Sequence, residues 1–397
     1  MTAPLEGIRV IDQTQALAGP YCAMILGDMG AEVIKIERPG SGDQSRTWGP
    51  PFIDSESTYY LAVNRNKRSM TLNVTHPQGK ELLYKLIDGA DVFMTNIATN
   101  ASLKKYGLDY PTLESRNPRL IYASISGYGR VGSRADQFGY DLVAQAESGV
   151  MSITGHPGAG PMRFPTPIAD MTCGMFTAIG ILGALQARHT SGRGQMLDMS
   201  LQEGHMTWLE NYAGAYFATG ENPMQYGNRH PQIAPYEPLQ AGDGRWFILG
   251  VGSDNTWQKF CAVAGLDGLA RDPRFTTNSD RVLNYDALMP HVRQALLQHS
   301  ADEWMQILRE ADVPVGKINT VAEALADPHL LERHFIVELE HPTLGTVKSL
   351  ATPVHMSATP LRYDRHPPLL GEQTEEILRE LGYGADQVSD LRQAGVV

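Results

Sequence analysis

The sequence predicts an α/β protein: a large domain with a doubly wound parallel sheet, joined to a smaller α+β domain. Three observations carry this. Short apolar runs alternate with helical stretches through the first 126 residues, the pattern that builds a parallel sheet with crossover helices. A long helical passage then follows "GRGQMLDMSL" at 193–201. Beyond residue 242 an isolated strand signal leads into helices through about residue 330.

In order, "IRVID" at 8–12 is a first strand, "GPYCAMILGDMG" at 19–30 a helix and "AEVIKIE" at 31–37 a second strand. "ADVFMTN" at 90–96 and "RLIYASIS" at 119–126 are further strands, each preceded by a helical stretch. "GDGRWFILGV" at 242–251 reads as a hairpin strand of the smaller domain. The tail, "HPTLGTVKSLATPVHMS" then "GEQTEEILREL", reads as strands and a last helix; its periodicity does not show where it docks.

Composition narrows the function. The 397 residues are 42% hydrophobic and 19% charged, ordinary for a globular chain of two domains. A net charge of -11 gives no reason to expect nucleic acid or an anionic membrane as partner. Any anionic ligand must therefore meet a local basic patch. Cys22, Cys173 and Cys261 are scattered, with neither metal spacing nor a disulfide framework, which suits a reducing cytoplasm. "MTAPLEGIRVID" lacks the apolar core of a signal peptide. The uncharged apolar stretch 171–185 is too short to span a membrane.

The first strand–helix–strand unit invites a dinucleotide reading, because Glu37 ends the second strand where such folds place a ribose-binding acid. The turn, "QALAGPYCAM", lacks the G-x-G-x-x-G fingerprint. In its place stand basic points: Arg38, then Arg65, Lys67 and Arg68 in "VNRNKRS" with no acid among them, then Lys104 and Lys105. Such clusters suit a ligand bearing several phosphates; the alternative is a solvated basic face.

"TPIADMTCGMFTAIGILGAL" at 166–185 raises a separate question. Asp170 is followed by fifteen residues without charge, and an ionised carboxylate in an apolar setting is costly unless satisfied. It falls where a helix should start, so first-turn N–H groups and the helix dipole could hold the anion. Small neighbours such as Cys173, Gly174 and Ala178 would leave room for a ligand. The competing reading is a helix-capping aspartate.

These residues carry a resemblance. "LEGIRVID" through "LAGPYCAMILGDMGAEVIKIERPGSGD" is similar to the opening of the family III CoA-transferases, which include formyl-CoA:oxalate and carnitine CoA-transferases and acyl-CoA racemases. The likeness continues through "NKRSMTLNV", "GYDLVAQAESG", "TGHPGAGPMR", "PIADM", "TSGRGQMLDMSL", "HPTLGTV" and "PPLLGEQTEEIL", nearly the whole chain. It implies a large domain built from both chain ends, 1–200 and 335–397, a small domain at 225–325, and an interlocked homodimer.

It further implies that Asp170 is the nucleophile, forming an aspartyl-CoA thioester by way of mixed anhydrides. By the same resemblance Ala16, Leu17, Arg38, Leu72, Asn96, Ile97, Ala98, Lys105 and Tyr140 fall on coenzyme A contacts, and Tyr59 on a substrate contact. No metal is implied. The racemases carry His in "GHD"; here the triplet is Gly139–Tyr140–Asp141. A phenol is a poor base at neutral pH, which favours the transferase over the racemase.

Departures bear on the acceptor. "NIATN" at 96–100 replaces Asn-Phe-x-Pro-Gly. Leu17 stands where the oxalate enzyme has glutamine, and "VGSDN" at 251–255 replaces its run of glycines, so oxalate is a poor fit. The resulting expectation is transfer of CoA from a donor such as succinyl-CoA to a C4–C5 dicarboxylate such as itaconate, mesaconate, citramalate or malate. Within "YGNRHPQIAPY" at 226–236, Arg229 offers a bidentate donor for a distal carboxylate, and His230 a second hydrogen bond. Tyr226, Tyr236 and Trp257 would instead offer aromatic faces to a carnitine-like acid. A CoA-binding protein without chemistry is the remaining class.

Overall fold

The computed structural model describes residues 2–397. The chain divides into two compact units, one of Met1–Val150, Arg163–Ala213 and Pro328–Val397, the other of Met151–Met162 and Gly214–Asp327.

The larger unit holds a six-stranded sheet: β1 (Arg9–Gln13), β2 (Glu32–Glu37), β3 (Lys67–Thr71), β4 (Val92–Thr95), β5 (Ile121–Ser126) and β6 (Met196–Ser200). Their order is β3-β2-β1-β4-β5-β6, and every pairing is parallel. This is a doubly wound order, whose switch point lies between β1 and β4. Alternate residues of each strand feed opposite faces. Val10, Val33 and Val92 pack on one side with Cys22, Leu26, Cys173 and Ile181. Ile11, Ile34 and Phe93 pack on the other with Leu82, Leu86 and Ile377. With both faces covered, the central strands are buried on both sides, and the charged residues they carry, Asp12, Lys35 and Glu37, are buried with them.

Three helices meet on the first of these faces. Helix α1 (Ala18–Asp28) comes directly after β1. Helix α3 (Ile168–Ser191) packs on it, and the short α2 (Asp141–Glu147) meets α3 near its start. The contact between α1 and α3 is close: a side chain at Gly174 would come within 2.6 Å of the Ala18 carbonyl oxygen. The small residues of "DMTCGMFTA" therefore serve helix packing, and Cys173 and Ala178 are buried in that core. They do not leave room for a ligand as the sequence suggests. Helix α3 is long and apolar enough to cross a membrane, but Ala169, Cys173, Ala178 and Ile181 on it belong to the core of this unit.

The tail docks on the β3 edge. Gln373 exchanges two hydrogen bonds with the Ser69 backbone, at 2.8 and 2.9 Å. Ile377, Leu378, Val388 and Leu391 then complete the second core. A hairpin of Ile336–His341 and Gly345–Leu350 precedes this segment.

"NRNKR" is structural, which corrects its reading as a phosphate cluster. All five residues are buried. Arg65 pairs with Asp28 at 2.5 Å, Lys67 with Asp12 at 3.1 Å, and Arg68 with Glu32 at 2.6 Å and Glu380 at 2.6 Å. Glu37 is likewise committed. It takes both ends of the Arg46 fork at 2.8 Å and the Ser69 hydroxyl at 2.6 Å, leaving no carboxylate oxygen for a ribose.

The smaller unit has an antiparallel sheet of Tyr236–Gln240, Trp246–Gly250 and Val315–Lys317 with Trp246–Gly250 central. Phe247, Leu249, Trp257, Phe260 and Trp304 form its core. Trp257 is fully buried there, so it offers no face to a ligand. "VGSDN" is likewise local structure: Ser253 caps the helix Asp254–Ala264, and Asp254 pairs with buried Arg281 at 2.9 Å.

Candidate active site

The carboxyl ends of β1, β4 and β5 open into a cavity of about 280 Å³. In doubly wound sheets the crevice at the switch point is where ligands bind. Ala16, Leu17, Asn96, Ile97, Ala98 and Tyr140 line it, together with Asp170. Residues spread over more than 150 positions of sequence are thus brought to one place, with Tyr140 62% exposed.

Asp170 sits in the first turn of α3, half-buried. Burial, reinforced by the negative charge of Asp141, pushes its carboxyl up to about 7. The first-turn amides do not hold the Asp170 anion, contrary to the sequence expectation. Asp141 takes them: its Oδ1 accepts from the Ala169 N–H at 2.8 Å and the Asp170 N–H at 3.3 Å. Its Oδ2 accepts from Gln145 at 2.7 Å. A carboxylate borrowed from α2 therefore occupies the helix end, and Asp170 is left as a second acid beside it. Among the described residues no lysine or arginine pairs with either. Such an arrangement makes Asp170 a better nucleophile once ionised, because no partner has to be stripped from it.

Other groups complete the surroundings. Burial and the charge of Asp170 raise the Tyr59 hydroxyl, so it stays protonated. Its ring meets Trp48 edge-on at 4.9 Å, and Trp48 lines the cavity. Cys173 is not a competing nucleophile, since burial pushes its thiol up to about 12. Ser148 and His205, 2.6 Å apart and buried, lie next to this cluster on α2's end and the Leu201–Met206 helix. They form a polar pair that no motif signals.

Three residues named on coenzyme A do not line the cavity. Leu72 is 2% exposed and packs in the second core; it directly follows β3, and its side chain falls on the sheet face covered by the tail. Arg38 and Lys105 are exposed. Arg38 has no side-chain partner among the described residues, and Lys105 approaches the Tyr106 ring at 5.8 Å.

In the smaller unit Arg229 lines a cavity of about 620 Å³ with Tyr226, Glu237, Trp246 and Tyr285. Its guanidinium lies 3.7 Å over the Tyr285 ring, and its buried Nε has no hydrogen-bond partner. His230 is not among the lining residues; its Nδ1 accepts from the Gln232 N–H at 3.1 Å. Sequence adjacency therefore does not make these two a joint anchor. Among the described residues no group of three or more His, Cys, Asp or Glu could hold a metal ion.

Fold and cavity place a carboxyl of raised proton affinity at the switch point of a doubly wound α/β sheet, where such folds bind their ligands. The family model for CoA-transferase family III matches residues 5–374, and the chain belongs to that family. It is 40% identical to a succinate–glutarate CoA-transferase of Agrobacterium fabrum, covering 95% of this chain and 96% of that one. It is 36% identical to the human succinyl-CoA:glutarate CoA-transferase, covering 99% and 90%. A crystal structure of a CAIB/BAIF family protein from Brucella suis superposes with a TM-score of 0.85 at 39% identity, over 96% of this chain and all of that one.

Proposed function

We propose that this enzyme transfers CoA from succinyl-CoA to a C4–C5 dicarboxylate through covalent intermediates on Asp170. The carrying observation is the unpaired, half-buried carboxyl of Asp170 at the switch-point cavity, held at about 7 by burial and Asp141. The Asp170 carboxylate attacks the thioester carbonyl, and CoA leaves as thiolate, giving a mixed anhydride. The thiolate attacks the aspartyl carbonyl and expels the donor acid, giving an aspartyl thioester. The acceptor carboxylate attacks that carbonyl and expels thiolate again. The thiolate then attacks the acceptor's carbonyl, releases the new CoA ester and regenerates Asp170. No water is consumed, so an enclosed site favours transfer over hydrolysis.

The names of the relatives support succinyl-CoA and a five-carbon dicarboxylate, glutarate, as partners of this chemistry. Itaconate, mesaconate, citramalate and malate are acids of the same kind. Arg229 is proposed as the acceptor-recognition residue of the smaller unit, because it lines a cavity there and its Nε has no partner within the protein. Arg38 and Lys105 supply free cations for the phosphates of coenzyme A. The protein works as a cytoplasmic homodimer in this reading, with its three buried thiols reduced. A racemase would need a base where Tyr140 stands.

Asp170→Ala is expected to abolish transfer, a loss of at least ~10³-fold, without loss of fold. Wild type incubated with succinyl-CoA should gain a CoA or acyl mass on the peptide containing Asp170. Near-normal turnover by the alanine variant would sink the mechanism. Arg229→Ala should raise KM for glutarate and citramalate far more than for a monocarboxylate. Equal losses for both classes would remove Arg229 from acceptor recognition.

A further inference from the structure

The turn between β1 and α1 is held in an unusual way. Ala16 has φ of +68°, a left-handed conformation that costs a residue with a Cβ and persists only when its surroundings impose it. Every backbone polar group leading into it is taken by a side chain. Asp12 accepts from the Thr14 N–H at 3.0 Å, and buried Lys35 donates to the Thr14 carbonyl at 3.0 Å. Asn96 brackets Gln15, accepting from its N–H at 3.1 Å and donating to its carbonyl at 2.8 Å. The Ala16 N–H donates to Asp43 Oδ1 at 3.0 Å. Asp43 is in turn fixed by Lys35, 2.8 Å from its Oδ2, with both side chains fully buried.

Asp43 reaches a second segment as well. The same Oδ1 accepts from the Ser45 N–H at 2.9 Å and the Ser45 hydroxyl at 2.8 Å. One carboxylate oxygen therefore ties together 15–18 and 44–48, and residues of both segments line the cavity that ends on Asp170. A buried ion pair is not needed for stability as such, since apolar residues of similar volume often serve equally well. Its special property here is directional: it presents a fixed acceptor to the strained Ala16 amide.

We propose that Asp43, clamped by Lys35, is a positioning residue for CoA transfer: it holds Ala16 left-handed and so sets the cavity wall against which the thioester lies at Asp170. The inference rests on the acyl-transfer reading of that cavity. If Ala16 relaxed to negative φ, the wall from Gln15 to Ala18 would move, and a misplacement of about 1 Å can cost ~10²-fold in rate.

The test compares two double variants of the full-length protein. Both lose the ion pair and the Lys35 bond to Thr14. Lys35→Met/Asp43→Asn keeps an oxygen acceptor for the Ala16 N–H, and Lys35→Met/Asp43→Leu removes it. The Leu variant should lose ~10²-fold in kcat with KM for succinyl-CoA changed much less, and the Asn variant should lose far less. Adding Ala16→Gly to the Leu variant should recover at least ~10-fold, because glycine takes positive φ without penalty. Equal kcat in the two double variants, or no recovery with glycine in a folded Leu variant, would overturn the proposal. If the Leu variant does not fold, replacing residue 16 by lactic acid removes the N–H and weakens the Gln15 carbonyl as an acceptor, and unchanged kcat in that protein would overturn it equally. Asp170→Ala, run alongside, tests the acyl-transfer reading separately: its activity decides that reading whatever the Asp43 variants do.

Discussion

Lys35 and Asp43 lie buried 2.8 Å apart and neutralise each other; Asp170 and Asp141 lie at one helix end, both acids, with neither lysine nor arginine on either among the described residues. The first arrangement recurs across β1–β3, in Lys67 with Asp12, Arg65 with Asp28 and Arg46 with Glu37. Opposite charges matched within the interior hold a conformation and are chemically quiet. Glu37 and Asp43 are pulled below the ordinary carboxylate range by their partners despite burial. An acid buried without a cation is costly, and burial, with the like charge of Asp141 added, raises the Asp170 carboxyl to about 7. Strongly perturbed groups in a cleft are candidates for chemistry, and here the contrast within one unit separates scaffold charge from the candidate nucleophile.

Breaking a matched pair should give the largest stability effect. Arg65→Ala strands Asp28 in the interior and should cost about 3–5 kcal/mol, read as a lower midpoint in urea at unchanged m-value. A loss under about 1 kcal/mol would mean that the belt of ion pairs contributes little, and would blur the contrast with Asp170.

The unmatched acid should respond in the opposite sense. The proton affinity of Asp170 is raised on folding, so its stabilising contribution is complete below about pH 4 and is lost as pH rises through about 7. At pH 8 Asp170→Asn should therefore be more stable than wild type, by up to about 4 kcal/mol at 1.36 kcal/mol per pKa unit. The advantage should shrink as pH falls from 7 towards 4. Calorimetry at pH 8 and pH 5 checks it, and a destabilised Asn variant at pH 8 would contradict the unpaired state of Asp170.

The smallest effect belongs to Asp141, the other half of the like-charged pair. Under the proposed mechanism transfer needs ionised Asp170, so kcat/KM for the donor should climb with pH through about 7. Asp141→Asn removes the like charge but leaves burial, the larger cause, and keeps an oxygen to cap the helix. The midpoint should move to lower pH by a fraction of a unit while activity at high pH falls little. A midpoint moving upward would show that Asp141 assists ionisation rather than opposing it.

The strands and the nucleophile candidate could be read before folding, and for local reasons. "IRVID", "EVIKIE" and "IYASIS" each carry β-branched apolar residues beside a helical stretch, so their pattern survives any detail of packing. Asp170 is a lone charge ahead of an uncharged helix, and that anomaly needs no partner to be seen. β3 was hidden because its charges, Lys67 and Arg68, mask a strand; their partners stand far off, Asp12 by 55 positions and Glu380 by 312. The same distance in sequence hid Asp141 from the start of α3, 28 positions away, and the Asp43 anchor from Ala16, 27 positions away. Hydrophobic pattern is a property of neighbours along the chain. Charge pairing inside a protein is a property of neighbours in space, and it is set only when the sheet order brings those side chains together.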